Sequence, residues 1–253
     1  MRFALLGSGS RGNATLIESD SCRLLLDCGF AAKEIERRLA MLDVAADTLD
    51  GILVTHEHQD HIRGVGAMAR RYGLPVWLSH GTYRKGRCGE LPEVHLFHSH
   101  QGDFQIGDIQ VSPFTVPHDA GEPVQFMFRT QSGRLGVLTD TGMVTPHIVE
   151  VLAPSDSLLL ECNHDPGMLR NGPYPPALQR RVGGNYGHMS NAQAAGLLAQ
   201  LETGRLRNLV AAHVSEKNNL PELVREALLE AAPEMEGRLS LAAQDSVTGW
   251  FDV

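Results

Sequence analysis

The 253-residue chain carries only four cysteines, Cys22, Cys28, Cys88 and Cys162, and no two of them form a C-x-x-C pair. That spacing excludes a zinc ribbon and a disulfide framework, and predicts reduced, structural thiols. No apolar run approaches the roughly 18 residues needed to cross a bilayer. The first apolar stretch, Met1 to Leu6, gives way to glycine too soon to form a signal-peptide core, so a cytoplasmic location is expected, with no membrane partner. Basic residues are also in the minority: 22 Lys and Arg stand against 30 Asp and Glu, a formal charge of −8. A uniformly basic nucleic-acid binder is thereby excluded, but a local basic groove is not. There is no low-complexity linker and no fixed-period repeat. With 42% hydrophobic and 21% charged residues, the composition is that of a globular chain with a sizeable core, and one domain over residues 1–253 is expected. What the chain has in abundance is histidine, twelve in all.

Apolar patterning predicts strands at Arg2–Gly7, Ala14–Glu18, Arg23–Asp27, Gly51–Thr55, Pro75–Leu78 and Val94–Phe97. Further strands are predicted at Ile109–Val116, Val124–Arg129, Leu135–Thr139, Ser157–Glu161 and Leu206–Ala212. Helical spacing of Ile35, Leu39 and Leu42 predicts a helix over Ala31–Leu42, and His61–Tyr72 reads as a second, ended by Gly73 and Pro75. Ser190 is a good N-cap for a helix running through Ala192–Leu201 to Gly204, and Pro221 opens another to about Ala232. Four prolines and five glycines mark Asn163–Gly187 as a long loop. Many consecutive strands in the middle, with helices in both halves, point to an α/β (α+β) chain of two packed sheets covered by helices.

Gly7-Ser8-Gly9-Ser10-Arg11-Gly12 satisfies the G-x-G-x-x-G pattern, but no helix opens at its last glycine. Asn13 to Ile17 continues as a strand, so the glycines make a tight strand connection and not a dinucleotide site. Ser8 and Asn13 remain candidate substrate contacts where this loop borders a site.

The strongest signal is His56-Glu57-His58-Gln59-Asp60-His61, directly after an apolar strand. Four ligand-type side chains in six residues at a strand end point to metal binding, and the carboxylate with further histidines suits a second ion. Additional ligands must come from elsewhere. His118, Asp140 and His213 each follow an apolar strand, and the Asp140 carboxylate can bridge two cations.

H-x-H-x-D-H followed by a lone His, an Asp and a final His resembles the metallo-β-lactamase superfamily over essentially the whole chain. The resemblance implies a four-layer αββα sandwich with ions at one edge. It also implies His56, His58 and His118 as ligands of a first metal, Asp60, His61 and His213 as ligands of a second, and Asp140 as the bridge. True β-lactamases of that superfamily commonly use cysteine where Asp140 stands, and flavodiiron members place a carboxylate where His58 stands; this sequence departs from both.

Gly187-His188-Met189-Ser190 resembles the helix start of tRNase Z-like phosphodiesterases, and Ala212-His213-Val214-Ser215 resembles their final H-x-S motif. Taken with Ser8 to Asn13, Pro117 to Ala120, Thr139 to Gly142, Asn163-His164-Asp165 and Ser215 to Asn219, these segments are similar to the YycJ/WalJ family of bacterial metallo-hydrolases. That resemblance implies 5′ to 3′ exonuclease action on double-stranded DNA. Only 47 residues separate Asp140 from His188, so an inserted β-CASP domain is absent, and no long tRNase Z arm is evident.

Two divalent ions, Zn²⁺ or Mn²⁺ with Fe not excluded, can lower the pKa of a water from about 15.7 toward about 7. His188 and Asp60 are the catalytic candidates, with His188 expected to assist a poor alkoxide leaving group. Asn163 and His164 join Ser8 and Asn13 as candidate substrate contacts. Two basic stretches, Arg70, Arg71, Arg84, Lys85 and Arg87 with Tyr83, then Arg170, Arg180 and Arg181, are read as solvated charge with phosphate contact as the alternative. His80, His147 and the tract His95 to His100 are read as exposed background. A glyoxalase II-type thioesterase or lactonase, and a non-catalytic binding protein on the same fold, are the competing readings.

Overall fold

Residues 1–253 are described by a computed structural model. Fourteen strands form two seven-stranded sheets. The first contains β1 (Arg2–Gly7), β2 (Ala14–Glu18), β3 (Arg23–Leu26), β4 (Gly51–Leu53), β5 (Pro75–Ser79) and β6 (Glu93–Phe97) in chain order. The second runs from β7 (Phe104–Ile106) through β8 (Ile109–Thr115), β9 (Val124–Thr130), β10 (Gly133–Leu138), β11 (Ser157–Glu161) and β12 (Asn208–Ala212) to β13 (Leu239–Leu241). The last strand, β14 (Phe251–Asp252), returns to the first sheet beside β1.

Because both faces of each sheet are covered, alternate residues of one strand feed different cores. Leu24 and Leu26 of β3 pack between the sheets with Phe126, Phe128 and Val210, while Leu25 faces outward. Similarly, Leu159 of β11 points between the sheets and Leu158 and Leu160 point away. The outer face of the first sheet is covered by α1 (Ala32–Ala40), by α2 (Gln59–Ile62) through Ile62, and by α3 (Val65–Tyr72). α4 (His80–Lys85) follows β5 directly and is capped by Ser79 Oγ. α5 (Pro146–Leu152), α8 (Asn191–Leu198) and α9 (Pro221–Ala231) cover the second sheet. The result is the αββα sandwich of the sequence reading.

Four local expectations are corrected. Asn163–Gly187 is not a loop: it contains α6 (Pro166–Asn171) and α7 (Pro176–Val182), each with proline in its first turn, where a missing N–H costs nothing. The helix expected over His61–Tyr72 begins at Gln59 and breaks at Gly64, where a Cβ would meet the Phe30 carbonyl at 2.0 Å. The Ser190 helix stops at Leu198, and the last residues before Gly204 turn instead of continuing. Strands β7, β13 and β14 and helices α4 and α5 were not anticipated; three are strands of three residues or fewer, too short to show a period.

β1 and β2 pair antiparallel across the glycine-rich segment, as the failed dinucleotide motif required. β3 and β4 are parallel, as are β10, β11 and β12, so their carboxyl ends share one edge of the sandwich. No helix is long and apolar enough to cross a membrane.

Candidate metal centre

At that edge the chain leaves the apolar strands abruptly and turns polar side chains inward. Asp27 after β3, Asp140 after β10 and His213 after β12 all adopt left-handed backbone conformations, with φ of 59°, 52° and 52°. Such conformations are unfavourable for residues other than glycine and cluster at functional sites. Gly29 allows the neighbouring loop to close, since a Cβ there would stand 1.8 Å from the Asp60 carbonyl.

His56, His58 and His118 form one convergent group. His56 Nε2 lies 3.0 Å from His58 Nδ1, which in turn lies 3.1 Å from His118 Nε2. Two nitrogens bound to one tetrahedral zinc at about 2.0–2.1 Å stand about 3.3 Å apart, so this spacing suits one cation. Asp60, His61, Asp140 and His213 form a second group. Asp140 Oδ2 is 3.3 Å from His56 Nε2 and 2.6 Å from His61 Nε2, so one carboxylate touches both groups. A third convergence, Asp140, Glu161, His188 and His213, shares two of its four donors with the second.

The far side of the rings is fixed by acceptors that set which nitrogen faces inward. His61 Nδ1 donates to Asp27 Oδ2 at 2.7 Å, and His118 Nδ1 donates to the Gly187 carbonyl at 2.9 Å. His56 Nδ1 donates to Thr55 Oγ1 at 2.9 Å, and that hydroxyl donates onward to Asp27 Oδ2. Each Nε2 is thereby turned toward the cluster, the arrangement by which carboxylates and carbonyls orient metal-ligating histidines. Asp140 Oδ1 and Oδ2 and His213 Nδ1 are enclosed without a well-formed hydrogen bond. Buried polar atoms of this kind are what a cation satisfies, and the His and carboxylate donors fit two divalent ions.

Charge within the cluster is strongly coupled. Burial and the neighbouring His61 push His56 well below its ordinary range. Burial also opposes charge on His61, but Asp140, Asp60 and Asp27 outweigh it and raise His61. Asp140 and Asp60 are both held below the usual carboxylate range: burial pushes them up, and the facing histidines overcome it.

His188 enters from the segment before α8. Ser190 and Gln193 cap that helix reciprocally, which fixes the backbone two residues beyond His188. Its Nδ1 lies 2.7 Å from Glu161 Oε1, and the other carboxylate oxygen accepts from the backbone N–H of Thr141 and Met189. Burial alone would lower His188, but Glu161 and Asp140 raise it to about 9. His58, Asp60, His188 and His213 open on a cleft of about 310 Å³, walled on one side by Tyr174 and by Leu178 and Arg181 of α7. Arg181 Nε donates to Asp119 Oδ2 at 2.6 Å, and Asp119 Oδ1 lies 3.7 Å from His58 Nε2.

The seven residues expected as ligands thus come together, with His188 beside them. The four expected substrate contacts do not line this cleft. Ser8 Oγ accepts from the His213 backbone N–H at 2.8 Å, and Asn163 Nδ2 donates to the His213 carbonyl. Asn13 Nδ2 lies 3.2 Å from His61 Nε2 and its backbone N–H donates to the Asp60 carbonyl. These three brace the cluster from behind; His164 lies beyond α7. Of the basic stretches, Arg70 holds the Cys88 and Glu90 carbonyls and Arg71 pairs with Glu36, whereas Arg181 reaches the cleft. The His95 to His100 tract is only partly a loop: His95 lies on β6, stacked on Trp77, and His98 stacks on His80.

Asp27, Asp119 and Glu161 were missed by sequence reasoning. The signal for two of them was present, since Leu24-Leu25-Leu26-Asp27 and Leu158-Leu159-Leu160-Glu161 both end an apolar strand on a carboxylate, as Asp140 does.

Residues 22–213 match the sequence family described as beta-lactamase superfamily domain. The chain is 36% identical over 237 residues to exodeoxyribonuclease YycJ of Bacillus anthracis, covering 92% of this chain and 90% of that one. It is 33% identical over 228 residues to exodeoxyribonuclease WalJ of Streptococcus pneumoniae, covering 88% and 84%. Among solved structures, the metallo-β-lactamase fold protein YhfI of Bacillus subtilis superposes with a TM-score of 0.74 at 16% identity, over 98% of both chains. Human tRNase Z, short form, gives 0.67 at 17% identity, over 98% of this chain and 99% of that one. At these identities the structural matches speak for the fold.

Proposed function

The chain belongs to the metallo-β-lactamase superfamily and is a metal-dependent hydrolase; from that premise we propose that it is a DNA exonuclease acting in the 5′ to 3′ direction. The observation that carries the reading is the buried Glu161 carboxylate on His188 Nδ1, at the rim of a cleft that also exposes Asp60 and His213. Two divalent cations held by His56, His58 and His118 and by Asp60, His61, Asp140 and His213 would supply a deprotonated water at neutral pH and neutralise phosphate charge.

The chain's own residues do the rest. Glu161 holds a proton on His188 Nδ1 and fixes the ring, so that Nε2 is turned to the cleft as a donor. A phosphodiester expels an alkoxide, which profits from such a donor by about 10²–10⁴-fold. A thioester or lactone has less need of it, so a paired His188 favours diester hydrolysis over a glyoxalase II-type reaction. The two relatives bearing the name exodeoxyribonuclease favour DNA among diesters. Asp119 holds Arg181 at the cleft wall, where a guanidinium meets a strand phosphate.

The test is digestion of 5′- and 3′-labelled duplex DNA by the metallated enzyme, alongside an acyl-thioester at equal enzyme concentration. Loss of 5′-terminal nucleotides first, with little thioester turnover, is expected. His188→Ala should retain two metal ions per chain while losing about 10²–10⁴-fold in kcat on DNA. It should lose far less on bis(p-nitrophenyl) phosphate, whose leaving group needs no proton. Intact DNA turnover in His188→Ala removes the general acid, and loss of a metal ion reassigns His188 as a ligand.

A further inference from the structure

α7 separates two cavities. Leu178, Arg181 and Val182 face the metal cleft, whereas Gln179, Arg180 and Gly183 line a second cavity of about 400 Å³, completed by Leu169, Arg170 and His164. His164 is only 3% exposed, and its Nδ1 is enclosed without a hydrogen-bond partner. A Cβ on Gly183 would stand 4.0 Å from His164 Nε2 and 3.1 Å from Leu169, so the absence of a side chain there keeps the imidazole in reach of the cavity. Arg170 and Arg180 stand exposed at its mouth. Asp165, the carboxylate next to His164 in sequence, is turned away to cap α6 through the Met168 N–H.

The ring nitrogen that faces Gly183 and the cavity is Nε2, and beneath two guanidiniums it has a simple partner in an anion. Arginine forks match the oxygens of a phosphate, and an imidazole N–H supplies a directed donor at the floor. The cavity is far too small for a folded partner.

We propose that this cavity is a second phosphate-binding site, taking a phosphate of the strand whose diester is cut on the opposite face of α7. The proposal rests on the phosphodiesterase reading above. A helix is about 10–12 Å across with its side chains, and a B-form strand rises about 3.4 Å per nucleotide. The phosphate held there is therefore at most about three nucleotides from the scissile bond, and is either a backbone phosphate or a terminal monoester.

The experiment compares the metallated enzyme with an Arg170→Ala/Arg180→Ala variant and a His164→Gln variant. The ratio of kcat/KM on a 5′-phosphorylated duplex to that on bis(p-nitrophenyl) phosphate, which has no further phosphate to offer, should fall at least tenfold, through KM. An unchanged ratio in both variants overturns the site. If omitting the 5′-phosphate penalises the wild type but not the variants, the ligand is the terminal phosphate; an equal penalty assigns a backbone phosphate. Inorganic phosphate titrated into ¹⁵N-histidine-labelled enzyme should move the His164 ring resonances, identified by their loss in His164→Gln, and should not move them in the arginine variant. That readout does not depend on DNA cleavage: a wild type that responds at His164 but spares DNA sinks the substrate reading and keeps the site. A wild type that cuts DNA with no response at His164 does the reverse.

Discussion

Glu161 is fully enclosed at the end of β11, yet its carboxylate is satisfied on every side, by His188 and by the backbone N–H groups of Thr141 and Met189. A carboxylate placed this way acts through the ring it holds. Glu161→Gln keeps the shape but removes the charge that retains a proton on His188. We expect kcat on DNA to fall about 10²-fold, with metal content unchanged. The double variant with His188→Ala should lose no more than His188→Ala alone, because residues that act as a unit are not additive; multiplied losses in a double-mutant cycle would mean that the two act separately. Asp27 plays the corresponding part for two of the proposed ligands, holding His61 directly and His56 through Thr55. Asp27→Asn should weaken metal affinity by about 10–100-fold, read by competition with a chelator. At this scale the histidine-rich hexad was legible because its spacing has no common alternative. Glu161 and Asp27 carried the same strand-end signal as Asp140, but that signal alone does not separate a carboxylate that meets solvent from one that meets a buried imidazole.

Among the elements, α6 and α7 show how proline misleads a reader. Pro166 and Pro176 begin helices, but with Pro173, Pro175 and five glycines nearby the segment has the composition of a loop. No amphipathic period is visible because these helices are six and seven residues long, and only Leu169 of the two is buried. α8 was legible from its start, since Ser190 and Gln193 form a reciprocal cap that is encoded within four residues. Its end was not, because Ala199 to Leu201 carry no breaker and the turn there is set by packing. Ser190→Ala should cost about 1 kcal/mol of stability, seen as a lower urea midpoint at unchanged slope. The same substitution loosens the backbone that carries His188, so kcat should fall while the metals stay bound. A variant with full stability would show that the cap contributes nothing to α8.

In the whole molecule, the two packed sheets were legible because many consecutive strand-type runs admit few other solutions, and the alternation of Leu24, Leu25 and Leu26 between inner and outer cores bears that out. What a single strand pattern does not encode is that both sheets present their carboxyl ends to one edge. There the centre draws Asp27 and the His56 to His61 segment from the first sheet, and His118, Asp140 and His213 from the second. Cations held by both sets would tie the sheets together, so metal binding becomes folding free energy. A ligand at a hundred times its dissociation constant stabilises the native state by about 2.7 kcal/mol. For a chain of this size that corresponds to about 5–11 °C in melting temperature. Chelation should therefore lower the melting temperature by at least this much for each tightly held ion, and re-addition of Zn²⁺ or Mn²⁺ should restore it. The drop should be smaller in Asp140→Ala, whose remaining donors no longer share a carboxylate between the two groups. An identical melting temperature with and without chelator, in protein shown by metal analysis to have carried two ions, would mean that the sheets hold this edge together without them.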